Sequence, residues 1–81
     1  MNEFPSQEIV QTLRKRCPKG TRVELVLMND PYTKLKPGDL GTVDFIDDTG
    51  TLFCLWDNGS TLGVVYGEDE ILLVGKAEPA D

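Results

Sequence analysis

Eighty-one residues, 27% of them charged and 40% hydrophobic, suffice for one small domain and leave no room for a second independent core. The chain has no His and two widely separated Cys, Cys17 and Cys54, which excludes a zinc cluster and a disulfide framework and leaves one Cys17–Cys54 bridge neither required nor forbidden. Net charge is −6, unevenly spread: residues 1–38 hold seven Lys or Arg against four acids, while the rest of the chain holds ten of the fourteen acids. Such a surface repels nucleic acid at long range and suits solubility or a basic partner.

Residues 1–5 read as a flexible lead-in. Ser6 is placed to cap a helix over 6–17, with Glu8 near its positive end and Arg14, Lys15 and Arg16 in its last turn. Ile9, Val10, Leu13 and Cys17 share one face, so Ile9, Val10 and Leu13 are expected to pack on the following sheet. Pro18 and Gly20 end the helix.

At Thr21 the apolar period changes from 3.6 to 2. Val23, Leu25 and Leu27 alternate with Arg22, Glu24 and Val26 as a half-buried strand. A long loop then ends at Pro37-Gly38, a pair suited to a type II turn. The strand Gly41 to Ile46 is expected to point Val43 and Phe45 to one face. Asp47-Asp48-Thr49-Gly50 reads as a tight turn and Thr51 to Trp56 as a largely apolar inner strand. Asn58-Gly59 is the preferred pair for a two-residue type I′ hairpin. Leu62 to Val65 forms the fourth strand, Tyr66 to Asp69 a single 3₁₀ turn, and Ile71 to Val74 the fifth strand. Residues 75–81 have the composition of a disordered tail.

This layout predicts a mainly β fold: a five-stranded SH3-like barrel over 21–74 with a short N-terminal α-helix. An OB-type barrel fits less well, because it commonly places a helix where this chain has a short hairpin. Val26, Met28, Ile46 and Leu72 exceed what one barrel interior holds and are expected to point away from it.

Several stretches carry a resemblance: Pro18-Lys-Gly-Thr-Arg-Val-Glu-Leu-Val26, Met28-Asn-Asp-Pro-Tyr32, Gly41-Thr-Val43, Asp47-Asp48, Gly50-Thr51 and Trp56-Asp-Asn-Gly59. Together they resemble an uncharacterised bacterial domain family of short proteins from Gram-positive bacteria, their phages and their conjugative elements. The resemblance implies a small barrel and a mobile-element setting. It implies no catalytic or binding residues.

An enzyme is not expected. The commonest general base is missing, and Asp47, Asp48, Asp57 and Asp69 all sit where turns use Asp for local hydrogen bonds. Asp44, Asp47 and Asp48 miss the spacing of a calcium loop, so neither metal nor cofactor is expected. A non-catalytic protein-interaction module, an accessory or inhibitory factor of a mobile element, is the leading expectation. Asp30, Tyr32, Trp56, Asp57 and Tyr66 are its candidate groove for a Pro-rich or basic peptide. The alternative is nucleic-acid binding through Arg14, Lys15, Arg16, Lys19 and Arg22, with Lys34 and Lys36 alongside. No secretory pattern or apolar span of bilayer length is evident, so a cytoplasmic location is expected.

Overall fold

The computed structural model describes residues 5–29 and 33–75. Helix α1 (Gln7–Arg16) precedes five strands: β1 (Arg22–Leu27), β2 (Leu40–Ile46), β3 (Leu52–Trp56), β4 (Gly63–Val64) and β5 (Glu70–Gly75). They form one antiparallel sheet in the order β4-β3-β2-β1-β5. The expected content of one helix and five strands is therefore present, but the sheet is open: β4 pairs with β3 and β5 with β1, and the two outer strands do not join.

The expected cap is in place, with the Ser6 side chain accepting from the Ile9 amide at 3.3 Å. Val10 and Cys17 are buried, and Leu13 packs on the core beside them. Ile9 departs from expectation and remains 36% exposed. It lies about 100° round the helix axis from Val10, at the margin of the buried stripe.

Three register shifts interrupt the ladders, Val74 being the extra residue between the Arg22–Gly75 and Val23–Leu73 pairs, and the other two change which side chains face inward. Between β2 and β3, Val43 pairs with Cys54 but Phe45 pairs with Phe53, so Asp44 is an extra residue. Each extra residue reverses the alternation beyond it. Ile46 consequently enters the core at 6% exposure, while Phe45, expected beside Val43, turns outward at 52%. There it stacks on Phe53 with ring centroids 4.7 Å apart. Val26 plays the same part between β1 and β5, where Leu25 opposes Ile71 and Leu27 opposes Glu70. Leu27 is thereby left 48% exposed, and Met28, expected to point away, packs against the core. Val26 and Leu72 do point outward, as anticipated.

Turns follow local chemistry. Gly38 at φ 97° closes the Lys36–Asp39 turn, whose Asp39 amide donates to the Lys36 carbonyl at 3.1 Å. The Asp57-Asn58-Gly59 connection is not the two-residue type I′ turn. Gly59 has φ 94° and donates to the Trp56 carbonyl, while the Trp56 amide donates to the Ser60 carbonyl. No non-glycine residue among those described has positive φ, so Asn58 is in an ordinary conformation and the loop has three residues.

The open seam has a local cause. Leu62 was expected to begin β4, but its carbonyl accepts the Trp56 indole N–H at 2.9 Å and its amide donates to the Ser60 hydroxyl. At the other end, the Val65 carbonyl accepts from the Glu68 and Asp69 amides, and the Val65 amide donates to Asp69. Backbone groups committed to these contacts cannot serve a ladder, so only two residues of β4 pair. Asp69 also accepts from the Asn29 amide at 2.7 Å, tying the end of β1 to the turn before β5.

The core comprises Val10, Cys17, Val23, Leu25, Leu35, Val43, Ile46, Leu52, Cys54, Trp56 and Val64. Both cysteines in it are free. Burial pushes the Cys54 thiol up to about 12 and also raises Cys17, against the opposing charge of Arg16. Alkylation at neutral pH is accordingly expected to leave native Cys54 untouched and to label it on denaturation, as mass spectrometry would read. Rapid labelling of Cys54 in the folded protein would contradict this packing.

Candidate functional site

Of the acids singled out in turns, Asp47 and Asp69 accept local hydrogen bonds, whereas Asp48 and Asp57 accept from Arg14 and Arg22 of distant segments. One Asp47 carboxylate oxygen accepts from the Thr49 amide and hydroxyl and from the Thr51 amide, at 2.9, 2.7 and 3.1 Å. These bonds hold the carboxyl below its ordinary range, the Thr49 hydroxyl contributing most. Asp57 is lowered by its paired contact with the Arg22 guanidinium, at 2.9 and 2.7 Å. Both groups are ionised in either state above the ordinary carboxylate range, and their contribution is complete there. As pH falls, the unfolded chain takes up protons first, so stability declines until the lowered folded-state values are passed. The thermal midpoint is therefore expected to hold above about pH 5 and fall below about pH 4. Asp47→Asn should make that fall shallower; a midpoint rising through the same interval would contradict the assignment.

The candidate groove is not assembled as the sequence suggested. Asp30 and Tyr32 lie outside the described residues. Trp56 is 3% exposed, its ring packed over Gly41 and its N–H given to Leu62, so it presents no face to a ligand. Asp57 is paired with Arg22 at the hairpin. Of the three that are described, Tyr66 borders an open cleft.

Most of the basic cluster is likewise tied down. The Arg14 guanidinium donates to the Ile46 carbonyl and to Asp48. Arg22 bonds Thr42 and Asp57, and Lys19 lies 3.6 Å from Asp44. Lys36 contacts Asp39 at 3.4 Å. Lys15 and Arg16 are exposed at the end of α1 and have no ion-pair partner among the described residues. Two neighbouring cations make a small footprint for phosphate binding.

What the fold offers instead is the seam. A cleft of about 470 Å³ separates β4 from β5, walled by Leu13 and Cys17 of α1, Val64 of β4, and Ile71 and Leu73 of β5. Tyr66 stands at its edge, with Asp69 and Glu70 at one end and Arg16 across it. A second depression continues along β5 past Leu73, Val74 and Gly75 to Lys15. Beside both runs the outer edge of β5, which no described strand pairs. β5 is also apolar on both faces: Leu72, Leu73 and Val74 are 56%, 46% and 49% exposed. Sequence reasoning passed over this strand as the closing stave of a barrel. Four consecutive apolar residues at the last strand were the available signal, because a strand apolar on both faces ordinarily lies inside a covered sheet.

An open five-stranded antiparallel sheet with one N-terminal helix, its apolar edge strand β5 unpaired on one side among the described residues, defines a small mainly β domain. The chain belongs to the family described as Domain of unknown function (DUF4314), which matches residues 6–74. No curated protein and no solved structure matches it.

Proposed function

We propose that this domain is a non-catalytic protein-interaction module that receives an extended segment of its partner on the β5 edge. The observation carrying this reading is β5 itself: six residues long, one edge unpaired among the described residues, apolar on both faces, and bordered by an apolar cleft. Soluble proteins ordinarily protect such edges with charge, brevity or a covering element. Strand addition satisfies the free backbone groups through main-chain hydrogen bonds, and the cleft beside Ile71 and Leu73 receives alternate side chains. The last strand returned beside the first supports an SH3-like connectivity whose seam is left open for an added strand. In a mobile-element setting, an accessory or inhibitory factor would act by this kind of capture.

Leu73→Lys places a charge on the proposed edge at a half-exposed position. After nuclease treatment, the wild-type domain is expected to retain a captured protein that a folded Leu73→Lys domain has lost. Undiminished capture by that variant, or disappearance of wild-type capture on nuclease treatment, would overturn the reading.

A further inference from the structure

The tip of the β3–β4 hairpin carries the one Asn in the chain that a Gly follows, Asn58-Gly59. The side-chain carbonyl of an Asn lies within reach of the next backbone nitrogen, and a Gly there puts no side chain in the way. Both residues are exposed, and a Cβ added to Gly59 would meet nothing within 4 Å, so no neighbour shields the pair. Two hydrogen bonds nevertheless hold the groups that would react. The Ser60 amide donates to Asn58 Oδ1 at 2.9 Å, and the Gly59 amide donates to the Trp56 carbonyl at 2.9 Å. We propose that Asn58 is a site of spontaneous deamidation whose rate is set by opening of this hairpin.

In the reaction the Gly59 nitrogen bonds to Asn58 Cγ, the Cγ–Nδ2 bond breaks, and the Gly59 amide proton leaves with Nδ2 as ammonia. Water then opens the cyclic imide in one of two ways. Cleavage between Cγ and the Gly59 nitrogen leaves an aspartyl residue. Cleavage between the main-chain carbonyl carbon and that nitrogen leaves an isoaspartyl linkage. Either product adds a negative charge beside the Asp57–Arg22 pair. The isoaspartyl product also routes the main chain through Cβ and Cγ, lengthening a short loop by an atom. The Trp56 amide and the Ser60 carbonyl, 2.8 Å apart across that loop, then lose their alignment. Because Trp56 also holds Leu62, the change loosens the segment leading into β4.

Ageing the full chain at mildly alkaline pH, folded and in guanidinium chloride, tests this by peptide mass spectrometry with fragmentation that separates aspartyl from isoaspartyl products. Conversion at Asn58 is expected in both, several-fold slower in the folded chain. Amide hydrogen exchange at Gly59 reads hairpin opening without any variant. Its slowing in the folded chain should match the slowing of deamidation within a few-fold. Trp56→Phe, which loosens the adjoining segment, should bring the folded rate towards that in denaturant. The isoaspartyl fraction, isolated by anion exchange, should melt below the parent chain. An Asn58 that stays intact in the folded chain, or converts there as fast as in denaturant, would overturn the inference. So would a slowing of deamidation that departs widely from the slowing of Gly59 exchange.

Discussion

Trp56→Ala is expected to cost about 3–5 kcal/mol, enough to leave much of so small a domain unfolded. The indole is 3% exposed, closes the core at the hairpin end of β3, and donates to the Leu62 carbonyl at 2.9 Å. Alanine removes the packed ring and orphans that carbonyl together. Trp56→Phe separates the two effects: it keeps much of the apolar bulk but not the N–H, and should cost about 1–3 kcal/mol. Because Leu62 is diverted from β4 by the same bond, Phe should also loosen the Ser60–Leu62 segment. Urea denaturation followed by circular dichroism measures both losses without relying on the deleted fluorophore. An unchanged midpoint for Trp56→Ala would show that the ring does not hold this end of the sheet together.

The second large effect is expected at Gly41, directly across from Trp56 in the β2–β3 ladder. A Cβ placed there would lie 2.7 Å from Trp56 Cε3 and 2.9 Å from Cδ2, both within the ring system rather than at a flexible chain end. The ring must move or β2 must shift, so Gly41→Ala should cost about 1–3 kcal/mol although it adds only a methyl group. The argument is steric; Gly41 does not adopt a positive φ. It follows that the penalty depends on the indole. In a Trp56→Phe background, where the benzo ring is gone, the same substitution should cost much less, giving a clear coupling in a double-mutant cycle. Additive losses would mean that Gly41 is intolerant for a reason unrelated to its neighbour.

Most of the fold was legible because its signals are local. Ser6 announces the helix start, the change of apolar spacing at Thr21 separates helix from sheet, and Gly38 and Gly50 mark turns where positive φ is required. The failures share a different character. Asp44 and Val26 are ordinary strand residues, and nothing in their type reveals that each is passed over by the neighbouring strand. The exchanges of Phe45 with Ile46, and of Leu27 with Met28, follow from those bulges. The sheet stays open where β4 is cut short by local side-chain bonds, Trp56 to Leu62 at one end and Val65 to Asp69 at the other, which no periodicity records.

Of the residues that line the cleft, Tyr66 and Arg16 were singled out by the sequence, each as part of a different candidate site. A tryptophan beside a hairpin was read as a ligand platform, whereas its cross-strand partner is a glycine that lets it lie flat and buried. Likewise, a run of cations near the helix end looked available, yet Arg14, Lys19 and Arg22 have acids as neighbours from distant segments. Pairings across 25 to 35 residues are invisible in composition. The unpaired edge of β5 depends on which strands fail to meet, and that too is a property of the assembled sheet.

The same contacts that keep β4 short leave β5 open to a partner, so the architecture and the proposed activity have one origin. Backbone chemical-shift mapping of the labelled domain, titrated with a protein that the wild type retains in the capture experiment, tests that link most directly. Perturbations concentrated at Ile71–Gly75, Tyr66, Leu13 and Arg16 are predicted. Perturbations centred on Phe45, Phe53 and Leu55, with β5 unmoved, would contradict it.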